Sequence, residues 1–426
     1  MGKTALVRRF LDDLRDVPTI YFCASPATAR NNLGALGRQI VRAEERRAGR
    51  TAQLGDAEYD PTFPFSSFRD AFGAIAELAS TQRVVFVIDE LPDLLESSKD
   101  IGSLLSEMVG EEFAQSQLML IVCGSHLPTM RQLTGKRGGV FYGRDALCID
   151  LAPLGFSESA RFIKENSVGR APTPEVLARY YGCLGGVPFR LAQIDPRRSF
   201  VNNIKSLFLD ATSPLFDEPG DQLRRELREP ATYRAVLEAL ATGSTRLSEV
   251  AAYTGMETGN CSLFLKNLIG LGLVVKEEPV IREGPYRTEY RIVDPLFRFW
   301  FRFVSCNLSL IGEGRGEEVY LQISPQIDLY MEKAFRDICM HWLKTHRDRM
   351  PIAFTHVGRW WGVDAFTHKD AAVDIVAFEG DKTATADAKL LCANCIWNAD
   401  PLDPEAVDEL VSCSETFGQA EKHYLL

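Results

Sequence analysis

Residues 1–152 predict a parallel α/β sheet, and three observations carry that expectation. Short apolar runs end in polar residues, amphipathic helical stretches alternate with them, and a Gly-Lys-Thr triplet stands directly before the first helix. An apolar run without alternation belongs to a strand covered on both faces, as parallel sheets require. Ligand chemistry in such sheets gathers at the carboxyl ends of the strands.

Each element follows from its own residues. Ala5 to Leu14 carries Leu6, Val7, Phe10, Leu11 and Leu14 at helical spacing, so a helix opens after Gly2, Lys3 and Thr4. Val17 to Ser25 reads as a short buried strand, and Leu33 to Glu44 as a helix. Residues 46–65 are polar and contain Gly and Pro, which marks a loop, and residues 66–80 form a second amphipathic helix. Val84 to Ile88 is an unbroken apolar run ending in Asp89 and Glu90. A helix from Ile101 to Phe113 and a second buried strand from Leu118 to Ser125 complete the alternation.

The Gly-Lys-Thr triplet gives this sheet a chemistry. A Walker A loop reads G-x-x-x-x-G-K-[ST]: backbone N–H groups wrap phosphates, the Lys reaches the β- and γ-phosphates, and the hydroxyl holds Mg²⁺. Gly2, Lys3 and Thr4 match its last three positions, and the alternative is a chance triplet. Two acids after a buried strand are either a solvated loop start or a Walker B pair, with Asp89 on the Mg²⁺ shell and Glu90 on the attacking water. Ser125, ending the next strand, stands where a polar residue senses the γ-phosphate. The strand before such a loop lies centrally, and its loss would strand buried N–H and C=O groups at about 1–3 kcal/mol each. The expectation is therefore that Met1 holds the last variable position of the loop and that the first strand lies upstream.

Composition narrows the function classes. At 426 residues the chain is long enough for two to four domains, and with 46% hydrophobic and 25% charged residues it has the make-up of a globular protein. No apolar run approaches the roughly 18 residues of a membrane span, and the start is not a signal peptide. The ten cysteines sit mostly in apolar segments, as Cys23, Cys123, Cys148 and Cys306 do, which suits reduced thiols in the cytoplasm. Cys392 and Cys395 form a CxxC without a second ligand pair, so zinc is not expected. A formal charge of −10 argues against a chain built to coat nucleic acid, while leaving room for a local basic face.

The chain resembles the archaeal-type ATPases of prokaryotes, a branch of the AAA+/STAND P-loop proteins. The resemblance rests on GKTALVRRF, VVFVIDELPDLL, LIVCGSHLPTM, FYGRDALCIDLAPLGFSE, YYGCLGGVPFRL and VDPLFRFWFRFV, in order and at the family's spacing. It implies an ATP·Mg²⁺ site with Asp89 and Glu90 as its catalytic acids. It also implies Arg144 as an arginine finger, where the ordinary alternative is a surface Arg capping a helix. Gly185-Gly186-Val187-Pro188 resembles a lid motif near the adenine, with Gly186 and Pro188 as its contacts. A helix C-cap followed by a helix-starting Pro gives the same letters.

From Ala231 the pattern is helix, short helix from Leu247, turn at Gly255, helix to about Leu271, then two strand-like segments joined through REGPYR. That order is a winged helix-turn-helix. Its second helix offers Glu257, Thr258, Asn260, Ser262 and Lys266, a set with one basic side chain, so an interaction or lid-extending role competes with DNA binding. Phe297, Phe299, Trp300, Phe301 and Phe303, interrupted by Arg298 and Arg302, read as a buried joining helix. In the last domain Asp374 stands on one strand and Asp387 and Lys389 on the next, the PD-(D/E)xK nuclease pattern that the family's last domain resembles, with both acids on a Mg²⁺. Phe335-Arg336 stands where relatives carry Phe-Glu, and Val373 where they carry an acid. Asp337 or Glu332 are the substitutes, and a degenerate, binding-only fold is the alternative.

The resulting expectation is a cytoplasmic protein in four parts. These are a P-loop ATPase core (1–152), a helical lid (153–225), a winged helix (226–293) and a nuclease-like domain (294–426). ATP and Mg²⁺ are the expected cofactors, and slow hydrolysis is expected to switch the rear domains. DNA, a second copy or another protein are the candidate partners, without a membrane. A DNA-binding or DNA-cleaving effector is the alternative, and an inactive interaction protein the third reading.

Overall fold

The structure, a computed structural model, describes residues 2–14, 16–47, 65–135, 139–143, 146–169, 171–282, 286–364, 368–380, 389–398, 403–418 and 420–426. The chain forms two compact units that divide between Leu151 and Ala152. In the first unit, three strands, β1 (Thr19–Cys23), β2 (Val84–Asp89) and β3 (Leu118–Val122), lie parallel in the order β1-β2-β3. β2 is buried along its whole length. Helices Ala29–Arg47, Phe68–Thr81 and Ile101–Gly110 supply Leu36, Phe72 and Leu105 to a core shared with Ile20, Phe22, Phe86 and Ile88. Ser67 starts the second of these helices by accepting from the Asp70 N–H, leaving Phe72 about one turn in, 6.1 Å from Phe86.

Two expectations for this unit need correction. β3 is half-buried rather than buried, with Met119 47% exposed, because it ends the sheet order and has a strand neighbour on one side only among the described residues. The helix Lys3–Asp13 forms where its periodicity says, yet buries none of its residues, and Leu6 and Phe10 stay exposed. It meets the sheet through polar and cation–π contacts: Thr4 reaches Asp89, and the Arg8 guanidinium lies over the Tyr21 ring at 5.5 Å.

In the second unit one core runs from Ile163 to Ala334, across residues that the sequence divides among lid, winged helix and last domain. The aromatic helix Pro295–Phe303 sits within it, started by the Asp294 carboxylate, with Phe297, Phe299, Trp300, Phe301 and Phe303 buried as expected. Trp300 donates its indole N–H to the Phe216 carbonyl at 2.6 Å. Helices Pro230–Thr242, Leu247–Thr254 and Thr258–Gly270 lead into an antiparallel pair, β4 (Val274–Glu277) and β5 (Glu289–Ile292). A four-stranded mixed sheet follows: β6 (His356–Val363), β7 (Asp370–Phe378), β8 (Lys389–Ala393) and β9 (Glu421–Leu425), in that order. Its faces split by parity. Val376, Phe378, Leu390 and Cys392 pack toward helix Pro404–Ser414, and Ile375, Ala377, Leu391 and Ala393 toward helix Ile327–Thr345. No described helix is long and apolar enough to cross a membrane.

Candidate functional site

The carboxyl ends of β1, β2 and β3 collect the polar residues that the first unit does not bury. Asp89 closes β2 opposite Cys23 of β1 and is 3% exposed. A buried carboxylate needs partners, and Asp89 has several. Thr4 donates its hydroxyl to Oδ2 at 2.8 Å, Tyr21 donates its phenol to the same oxygen, and the Glu90 N–H reaches Oδ1 at 3.2 Å. The triplet before the first helix is thereby held at the strand ends through its hydroxyl. Gly2 caps that helix with φ 87, a left-handed conformation that favours glycine.

Glu90 also adopts left-handed backbone, φ 55, and starts the short helix Leu91–Ser97. Strain of this kind in a residue with a side chain persists where the surroundings over-determine it. Here Ser125, just past β3, holds the carboxylate from the far side, donating to Oε2 from its N–H at 3.0 Å and its hydroxyl at 2.8 Å. Lys3, Thr4, Asp89, Glu90 and Ser125 are thus brought to one end of one sheet. Arg144 falls outside the described residues.

The field at this end is negative. Burial, then the hydrogen bond to and charge of Asp89, pushes the Tyr21 phenol up to about 12. Burial and then Asp89 push the Cys123 thiol up to about 11, against an opposing pull from Lys3. Cys23 rises for the same reasons, and Asp93 rises through burial and then Glu90. Such a field fits a divalent cation. The hydroxyl of Thr4 and carboxylate of Asp89 are a hard oxygen pair suited to Mg²⁺, which completes its shell with water and substrate phosphate. Sequence reasoning missed Tyr21, which reads as one more apolar position of β1.

The other candidate residues lie in the second unit. Gly185 ends the helix Pro174–Leu184 with φ 68, and Pro188 starts the short helix Pro188–Leu191, so the cap reading of these letters holds locally. Gly186 lies so close to the Leu154 backbone that a Cβ there would come within 1.8 Å of its carbonyl oxygen. Asp374 and Lys389 do not share a site, which corrects the nuclease pattern. In the antiparallel ladder Ile375 faces Ala393 while Phe378 faces Leu390. Asp374 and Lys389 therefore stand at opposite ends, separated by about 17 Å of strand. Asp374 is ion-paired with Arg336 at 2.5 Å and accepts from the Cys395 N–H, whereas Lys389 pairs with Glu421 at 3.1 Å in solvent. Asp387 lies outside the described residues. Among those described, no group of three or more His, Cys, Asp or Glu is placed to hold a metal ion. The substitute Asp337 is engaged by Arg298 and Arg291.

Comparison with known proteins agrees with this fold. A family described as archaeal and bacterial proteins of unknown function (DUF234) matches residues 300–401. An uncharacterised protein of Methanocaldococcus jannaschii is 26% identical over 304 residues, 70% of this chain. The match spans 66% of that relative's own length, just under two thirds of it. Among solved structures, a Walker-type ATPase of Pyrococcus abyssi superposes with a TM-score of 0.54 at 21% identity, covering 71% of this chain and 88% of that one. The chain thus shares its fold with that Walker-type ATPase. The ORC1 protein of Aeropyrum pernix, solved in complex with DNA, matches 72% of this chain and 85% of its own at 14% identity, with a TM-score of 0.36.

Proposed function

We propose that this protein binds ATP with Mg²⁺ at the carboxyl ends of β2 and β3 and hydrolyses it slowly, as a regulatory P-loop ATPase. The observation that carries this reading is the 2.8 Å hydrogen bond from Thr4 to Asp89, which joins the hydroxyl of the Gly-Lys-Thr triplet to the strand-end acid. In water the two groups gain little by meeting; as a pair they are the ligand set a phosphate-bound cation needs. Thr4 and Asp89 would hold Mg²⁺, which when bound neutralises charge developing on the phosphates. Lys3 sets its ammonium on the same phosphates. Glu90 orients and deprotonates water, and Ser125 fixes the carboxylate that does so.

The remaining expectations belong to this reading as proposals: a lid at 153–225 carrying Gly186 and Pro188, a winged helix at 226–293, a finger at Arg144, switching of the rear segments by nucleotide state, and a cytoplasmic setting. Helix order and the β4–β5 hairpin support the winged helix. Glu257, Thr258, Asn260, Ser262 and Lys266 are all exposed on or beside its second helix, and this supports DNA binding as the second reading. With Lys266 as the lone cation among them, that contact would be weak and only shallowly salt-dependent, since the slope grows with the number of phosphates neutralised.

ATP binding and turnover by the full chain, beside Lys3→Ala and Glu90→Gln, test the proposal. Lys3→Ala is expected to lose binding. Glu90→Gln is expected to keep binding while turnover falls by about 10²–10⁴. No ATP binding by the unaltered chain, with Mg²⁺ present, would sink it.

A further inference from the structure

We infer that Cys339 and Cys395 form a redox modification site, a thiol pair that a hydroperoxide closes to a disulfide, clipping the helix Ile327–Thr345 to the segment that leaves β8. The CxxC of the sequence suggests a different pairing, Cys392 with Cys395. The sheet separates those two. Cys392 is fully buried beside Leu390 on the face toward helix Pro404–Ser414, whereas Cys395 packs with Leu391 and Ala393 on the opposite face. Cys339, from helix Ile327–Thr345, packs against that same cluster.

Asp374 of β7 fixes the approach. One of its carboxylate oxygens takes the Arg336 Nε at 2.5 Å, and the other accepts from the Cys395 N–H at 3.0 Å. The Asn394 side-chain oxygen answers by accepting from the Asp374 N–H at 3.3 Å. Arg336 stands three residues before Cys339, one turn away on the same helix face. A single carboxylate therefore draws the Cys395 backbone to the turn of helix that carries Cys339, and the two thiols hydrogen-bond to one another. Just beyond, Trp397 donates its indole N–H to Asp328 at 3.1 Å and sets its ring 5.3 Å from Phe335, both on that helix. The backbone on each side is thus in place before any bond forms, and a disulfide asks only that the sulfurs close to about 2.05 Å. Both cysteines are half-buried, so a small oxidant reaches them.

The hydrogen bond divides the roles. It holds the Cys339 thiol below the ordinary cysteine range and, with burial, holds the Cys395 thiol above it. Cys339 is then the attacking thiolate and Cys395 the resolving thiol. With hydrogen peroxide as oxidant, the Cys339 sulfur attacks one oxygen: an S–O bond forms, the O–O bond breaks, and the departing hydroxide takes up the proton Cys339 had shed, leaving as water. Cys395 then attacks the sulfenic sulfur: the S–S bond forms, the S–O bond breaks, and hydroxide leaves with the Cys395 proton as a second water. The two sulfurs lose two electrons in all and the peroxide gains them, and a dithiol reverses the change by exchange.

Peptide mapping of the full chain after hydrogen peroxide, digested without reduction, tests this. A Cys339–Cys395 cross-linked peptide that disappears with dithiothreitol is expected, together with a higher melting temperature for the second unit. Cys392→Ala is expected to keep the cross-link. Cys395→Ser is expected to lose it and leave Cys339 as a sulfenic acid that dimedone labels, an outcome a merely structural thiol contact would not give. Recovery of Cys395 bonded to Cys392, or of Cys339 and Cys395 both as free thiols at a peroxide dose that oxidises the exposed Cys148, would overturn the inference in the unaltered protein. Either result leaves the ATP reading untouched.

Discussion

Asp89 accepts from two hydroxyls on one oxygen, and the pair makes separate demands on stability and on ligand binding. Thr4→Val removes the hydroxyl that a cation would share, so ATP affinity in Mg²⁺ should fall while affinity in EDTA stays level; equal loss in both would show that Thr4 serves folding alone. Tyr21→Phe tests the other hydroxyl through pH. The folded-state phenol is held up at about 12 against an ordinary 10.0, so its stabilisation is complete below pH 10 and lost as pH rises toward 12. Urea unfolding followed from pH 8 upward should show this alkaline decline in the unaltered protein and a flatter profile in the Phe variant. Superimposable profiles would remove Tyr21 from the site. The position of the two acids is legible in sequence because an unbroken apolar run that stops at acids marks the end of a buried strand. Tyr21 is not legible, because its apolar neighbours give the same strand whether its hydroxyl is used or idle.

At the scale of elements, the second unit is tied by contacts far apart in the chain. Arg190, 4% exposed, forks between Glu218 and Asp294, each at 2.8 Å, and so ties the short helix Pro188–Leu191 to the start of the aromatic helix. Arg190→Met should cost about 3 kcal/mol, the low end for a buried pair, because Glu218 and Asp294 keep partial contact with water. Denaturant unfolding checks the value, and a change within about 0.5 kcal/mol would mean the triad is decorative. Gly186→Ala forces a methyl onto the Leu154 carbonyl and should lower the melting temperature of the second unit; an unchanged midpoint would show that this loop yields freely. Helices and strands of this chain follow their local periodicity closely. The β7–β8 register does not, since it depends on the pairing of distant residues, and this is why Asp374 and Lys389 look like one site in sequence and stand apart in the sheet.

There are two units, the first with a core around β2 and the second with one around the aromatic helix and two more on the faces of the β6–β9 sheet. Calorimetry should resolve two transitions, and ATP with Mg²⁺ should raise the first unit's by about 2.7 kcal/mol at a hundredfold excess over the dissociation constant. An unchanged first transition would contradict a nucleotide site at the β2 and β3 ends. The parallel sheet, the helix after Gly2, the strand-end acids and the burial of the aromatic helix are all dictated by the order of residues alone. Each is written in the spacing of apolar side chains along a few turns or a single strand, which local geometry converts directly into a buried face. The half-exposed β3, the uncovered face of the first helix, the Tyr21 hydroxyl on Asp89 and the Arg190 fork between Glu218 and Asp294 emerge only once the chain has packed. Those depend on which distant residues arrive opposite.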